Sequence, residues 1–119
     1  MPIPPEIHGQ RYISLATYRK NGTAVRTPIW FAESDGKLVF MTRNDMWKYK
    51  RIRNNPGVLV APCTIRGKIT GPDFSGNARV LPSDEWQRAR KAIRNKYWLA
   101  RLPFWSKKNE YLEIDLANQ

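Results

Sequence analysis

The chain has 119 residues, enough for one domain with its own core. Its 21 Lys and Arg against 10 Asp and Glu give a formal charge of +11, which favours anionic partners: nucleic acid, phosphorylated cofactors or a membrane surface. One cysteine, Cys63, and one histidine, His8, exclude an internal disulfide, a zinc cluster, a Ser-His-Asp triad and a Cys-His pair of ordinary form.

Residues 1–10 are Pro-rich and read as an extended arm, with His8 an exposed arm residue. No apolar signal region is evident and no run approaches the ~20 residues of a membrane span, so a cytoplasmic protein is expected. Ile13, Leu15 and Thr17 alternate with Ser14, Ala16 and Tyr18 as a strand, and Asn21-Gly22 turns it. A second strand is expected over Val25 to Glu33, a Ser34-Asp35-Gly36 turn, then a third over Lys37 to Thr42. Asp45 suits the N-cap of a short basic helix that ends near Asn55, before Pro56. Gly57 to Thr64 reads as a buried strand ending in an Ala-Pro-Cys corner, where Cys63 is expected as a buried, inert thiol. A Gly/Pro-rich connection leads to a strand over Phe74 to Leu81.

Ser83 is placed to cap a second helix, with Asp84 and Glu85 in its first turn. Trp86, Ala89 or Arg90, Ile93 and Tyr97 form its apolar face. An aromatic, basic loop over 98–109 follows, in which Trp98 and Trp105 are expected to pack the tail, with roofing of a planar ligand from a second subunit as the alternative. The last strand, Tyr111 to Leu116, points Leu112, Ile114 and Leu116 one way and Glu113 and Asp115 the other. The expected domain is therefore mainly β (α+β): an antiparallel barrel of about six strands with two short helices, spanning 1–119.

Few side chains here could do chemistry unaided, so an enzyme of this composition needs a cofactor to carry the hard step. The best seat for one lies where a strand ends at Thr42, a helix begins, and Lys48 and Arg51 stack one turn apart. From spacing alone, a solvated basic helix accounts for those two cations at least as well.

Three blocks add to this reading: Gly22-Thr-Ala-Val-Arg-Thr-Pro-Ile-Trp-Phe, Leu38-Val-Phe-Met-Thr-Arg, and Lys48-x-x-Arg-Ile-Arg-x-Asn-Pro. Together they resemble the pyridoxamine 5′-phosphate oxidase-like split β-barrel superfamily. The Ala61-Pro-Cys-x-x-Arg-Gly-x-x-x-Gly-Pro block is similar to a branch of probable deazaflavin (coenzyme F420)-dependent enzymes. The resemblance implies a homodimer with two cofactor sites at its interface. It runs Arg26, Thr27, Pro28, Ile29 and Trp30 beside the tricyclic ring, and sets Lys48 and Thr42 at the phosphate. Met41, Arg43 and Arg51 join the candidate site, Arg43 either reaching the phosphate or covering the barrel mouth. Coenzyme F420 is favoured, with flavin mononucleotide (FMN) the alternative, and the implied reaction is hydride transfer to a small organic substrate. A non-catalytic carrier or sensor is a second reading. A basic nucleic-acid-binding module is a third, without any helix-turn-helix, zinc-finger or RNA-binding signature behind it.

Overall fold

The computed structural model describes residues 3–97 and 109–117. Seven antiparallel strands form one curled sheet: β1 (Tyr12–Tyr18), β2 (Ala24–Trp30), β3 (Ala32–Ser34), β4 (Lys37–Arg43), β5 (Gly57–Pro62), β6 (Phe74–Val80) and β7 (Asn109–Leu116). Their spatial order is β2-β1-β5-β6-β7-β4-β3, so β2 and β3 are the free edges. Helix α1 (Trp47–Asn54) follows β4, and α2 (Trp86–Lys96) follows β6 through a 3-10 turn at Ser83–Glu85. Neither helix is long and apolar enough to cross a membrane.

The sheet curls around one core and carries a second on its outside. Period-two alternation sends Ile13, Leu15, Ile29, Leu38, Phe40, Val60, Leu112 and Ile114 inward, where Tyr49 and Ile52 of α1 join them. On the outer face, Val39 and Tyr111 meet Ala89, Ile93 and Tyr97 of α2, the apolar face expected for this helix. The turns follow their chemistry. Asp35 and Gly36 both take positive φ (54° and 75°) between the paired residues Ser34 and Lys37, the two-residue connection that matches strand twist.

Several expectations change. The single strand read over Val25 to Glu33 is two, because the chain must leave one edge of the curled sheet and join the other. The break falls at Phe31, whose buried ring faces the inner core. Its backbone loses ladder partners there, and the Tyr97 hydroxyl replaces them. That oxygen accepts the Phe31 N–H at 3.3 Å and lies 2.8 Å from the Phe31 carbonyl. The arm is not extended: Ile7 and His8 N–H groups both donate to the Pro4 carbonyl at 2.9 Å, and the turn so formed drops Ile7 wholly into the core. The strand read to Thr64 stops at Pro62, leaving only a Cys63–Ile69 bridge.

Both caps differ as well. Met46, not Asp45, holds the α1 N-cap, and no side chain caps that end. The Asp45 carboxylate turns back to Arg43 instead, at 3.1 Å and 2.8 Å. Pro82 rather than Ser83 precedes the 3-10 turn. Glu113, read as outward, is outward but buried, because α2 covers it. Arg79 and Arg88 donate to its two oxygens at 3.0 Å and 2.9 Å. Burial alone would push this carboxyl up; the two guanidinium groups outweigh it and hold the group below its ordinary range. The aromatic loop, with Trp98 and Trp105, lies outside the described residues.

Candidate functional site

Strand β4 ends at Arg43, whose carbonyl accepts the Met46 N–H at 3.2 Å and folds the chain at once into α1. Buried Thr42 therefore stands one tight turn before the helix. Tyr49 and Ile52 anchor α1 in the core, which fixes where the intervening residues Lys48 and Arg51 can go. Arg51 Nε donates to the buried Thr17 hydroxyl of β1 at 2.6 Å. Lys48 is half-buried and takes part in no ion pair among the described residues. Burial, then the like charge of Arg51, depress its pKa. Arg51 is depressed in turn by burial and by the charge of Arg19. Lys48, Arg51 and Arg19 thus lie within electrostatic reach in turn, and none of them forms an ion pair among the described residues, an arrangement that favours an anion.

The helix end beside them is open. Met46 and Trp47, bulky residues directly before Lys48, are 45% and 70% exposed, so their side chains project mainly into solvent. With no side-chain cap on α1, the first-turn N–H groups and Lys48 together suit a phosphate. Arg43 is different. Its guanidinium is held in two places by Asp45, so unlike Lys48 it is already paired.

Strand alternation divides the β2 residues. Thr27 and Ile29 sit on the inner side with Leu15 and Ile13 as their register partners, whereas Arg26, Pro28 and Trp30 face outward. All five side chains cannot meet one ligand face. Arg26 is already occupied by Asp73 at 2.7 Å and by the Ser14 hydroxyl at 3.5 Å. An added Cβ at Gly67 would touch Pro28 Cδ at 3.6 Å, which places the β5–β6 connection against Pro28. Trp30 remains 41% exposed, its indole stacked on Tyr97 at 4.7 Å and 6°. Thr27 Oγ1 is buried with no hydrogen-bond partner among the described residues, a polar atom left for a ligand or water to satisfy. On β4, Met41 is exposed outside while Thr42 is buried inside.

The cationic end and the aromatic end are separated along one strand. Val25 pairs with Thr17, the acceptor of Arg51. Five residues on, at a rise of ~3.4 Å each, Trp30 lies about 17 Å away. A phosphate-bearing ribityl chain ending in a tricyclic ring has about that reach.

Sequence reasoning missed four pairings that the fold makes. Thr17 and Arg19 reach the seat only through the β1–α1 packing. Tyr97 reads as an apolar helix residue, yet its hydroxyl joins the Phe31 break to the Arg11 carbonyl. His8 does not hang free: Glu33 holds it at 2.7 Å. None of these pairings has a sequence signature, since the partners lie 25 to 86 residues apart. Cys63 is buried and its thiol pushed up by burial, as expected of an inert cysteine.

A curled antiparallel half-barrel with one helix at its end and one on its outer face defines the class of fold. The sequence places the chain within that class: it matches the pyridoxamine 5′-phosphate oxidase profile over residues 3–118 and belongs to that family. No curated protein matches it closely enough to count as a relative. Among solved structures it is similar to the heme storage protein HutZ from Vibrio cholerae. The TM-score there is 0.78 at 12% identity, over 100% of this chain and 93% of that one. An F420 reductase superposes with TM-score 0.70 at 19% identity, over 98% and 97% of the two chains. The heme binding protein from Mycobacterium smegmatis gives 0.75 at 15% identity, over 93% of this chain. The present chain spans 48% of that protein's length. At these identities the likeness establishes the fold.

Proposed function

We propose that this protein is a flavin- or deazaflavin-binding oxidoreductase that works as a homodimer. The observation carrying this reading is the seat at Lys48 and Arg51, with Arg51 bonded to Thr17, whose partner Val25 lies five residues along β2, about 17 Å of strand, from the exposed Trp30. Lys48 and the open α1 terminus hold the phosphate. Arg51, fixed on Thr17, adds charge without moving. The outer edge of β2 lies along the ring, and Trp30 marks its far end. When bound, the ring supplies the hydride; the protein aligns it with the substrate and excludes water.

Coenzyme F420 is the favoured ligand. Its chain of glutamates carries further negative charge toward Lys50 and Arg53, both exposed on α1. The heme-binding names among the structural neighbours keep a non-catalytic carrier as the second reading. Titrating purified protein with FMN and with F420, followed by absorbance, tests the site. One equivalent of F420 per chain, bound more tightly than FMN, is expected. Tighter FMN binding reassigns the cofactor, and absence of saturable binding of either removes the reading. Turnover of a quinone by the reduced complex separates enzyme from carrier.

A further inference from the structure

We propose that Arg19, at the β1–β2 hairpin, joins Arg51 in holding a second anionic group beside the phosphate seat, so that the site takes a ligand with two linked anions. This clamp deepens the cofactor reading, on whose phosphate seat at Lys48 it rests. Arg51 supplies one half. Its Nε donates to the Thr17 hydroxyl at 2.6 Å, and Thr17 is buried, so the guanidinium is anchored to the wall of the half-barrel. A guanidinium bonded through Nε keeps its two terminal nitrogens as a separate donor edge, one that can take a phosphate or carboxylate with two parallel bonds. Those terminal nitrogens have no hydrogen-bond partner among the described residues.

Arg19 supplies the other half. Strand alternation returns it to the face of Thr17, two residues on at a rise of ~3.4 Å each, about 7 Å along the chain. It lies just past the end of β1, yet both of its backbone groups are held. Its N–H donates to the Thr23 carbonyl and its carbonyl accepts the Gly22 N–H, each at 2.9 Å. The Asn21 side chain accepts the Thr23 N–H at 3.0 Å, and Gly22 takes a φ of 88°, which closes the turn. The base of the Arg19 side chain is therefore fixed, while the residue as a whole is exposed.

Charge sets what the clamp can hold. Lys48, Arg51 and Arg19 form a row in which Arg51 feels Arg19 and Lys48 feels Arg51. A single phosphate group carries at most about two negative charges, which leaves the row room for one anion more. A ligand that ends in one phosphate, as FMN does, leaves Arg19 without a partner. One whose chain continues past the phosphate to a further phosphate or carboxylate fills the row. The chain of glutamates on F420 belongs to that second class.

Calorimetric titration of the ligand-free protein at low salt with inorganic phosphate, pyrophosphate and phosphoglycolate tests the clamp. Pyrophosphate and phosphoglycolate should each bind about tenfold or more tightly than phosphate, as a charge-assisted bond predicts. Arg19→Gln should bring both to the affinity of phosphate, while phosphate binding and melting temperature stay as in the wild type. Lys20→Gln removes the same charge from the same hairpin, at a position that alternation turns the other way, and should keep the preference. Equal losses in the two variants would reveal only a general field and overturn the proposal. So would an undiminished preference in Arg19→Gln, or wild-type protein that does not separate the two-anion probes from phosphate. No binding of any probe removes the seat and the clamp with it. Whichever two-anion probe binds more tightly names the second group as phosphate or carboxylate, and either supports the clamp. The cofactor reading fails separately: protein that shows the Arg19-dependent preference but binds neither FMN nor F420 keeps the two-anion site and loses the ring.

Discussion

Lys48 carries its charge half out of water beside the like charge of Arg51, and both pKa values are depressed. Such a cation costs stability until an anion arrives. Lys48→Met should therefore raise the melting temperature of the ligand-free protein while weakening cofactor binding by about 1.5–3 kcal/mol, the worth of a charged hydrogen bond. Calorimetry with and without ligand checks both halves. Arg51 behaves differently because of its 2.6 Å bond to Thr17. Arg51→Ala strands a buried hydroxyl and should cost about 1–3 kcal/mol in urea unfolding, in addition to any loss of binding. At the opposite end, burial holds Lys96 near 8 against an ordinary 10.5. Between those values the unfolded chain binds more protons than the native one, so this lysine's contribution to stability rises with pH. Unfolding free energies at pH 8 and pH 9.5 should show that rise in the wild type and lose it in Lys96→Met. Tyr97 is raised by burial and opposes the trend only above pH 10.

The elements are joined by close backbone contact as much as by side chains. Gly76 of β6 lies against β7: an added Cβ would sit 2.8 Å from the Asp115 carbonyl and 3.1 Å from Leu116 Cδ2. Gly76→Ala should cost about 1–3 kcal/mol, as overpacking a fixed backbone does, and thermal unfolding measures it. Periodicity made most elements legible. Ile13, Leu15 and Thr17 alternate plainly, the α2 apolar face recurs at helical spacing, and Pro56 stops α1. Illegible were the points where a residue chose between a local and a distant partner. Asp45 could cap α1 by its position, but Arg43 offered a bidentate charge pair. The run from Val25 to Glu33 alternates continuously, and only the closing of a curled sheet demands a break at Phe31.

For the whole molecule, the exposed apolar side chains are the outstanding feature. Trp30, Met41, Met46, Trp47, Ile65 and Ile69 all stand partly in solvent. Surface of this kind suits a partner copy, and sedimentation at micromolar concentration should show a dimer. Only monomer would remove the homodimer from the proposal. The proposed F420 preference, if carried by the +11 charge, should be salt-sensitive, since exposed contacts to an acidic tail are screened within about 10 Å at 0.1 M salt. Raising salt should narrow the affinity gap between F420 and FMN while ring binding persists, measurable in the same absorbance titration.

Local pattern determined the strands, the two helices, the tight turns and the block at Lys48, because each is encoded by neighbours a few residues apart. The shortage of catalytic side chains was likewise plain from composition. Tertiary structure decided which cations are free and which are paired, and which face of β2 each residue takes. It also brought His8 to Glu33 and Tyr97 to Phe31, across 25 and 66 residues. The physical reason is separation along the chain. Periodicity reports the face a residue turns, whereas the partner waiting on that face is set by how the sheet curls and where the arm and α2 end.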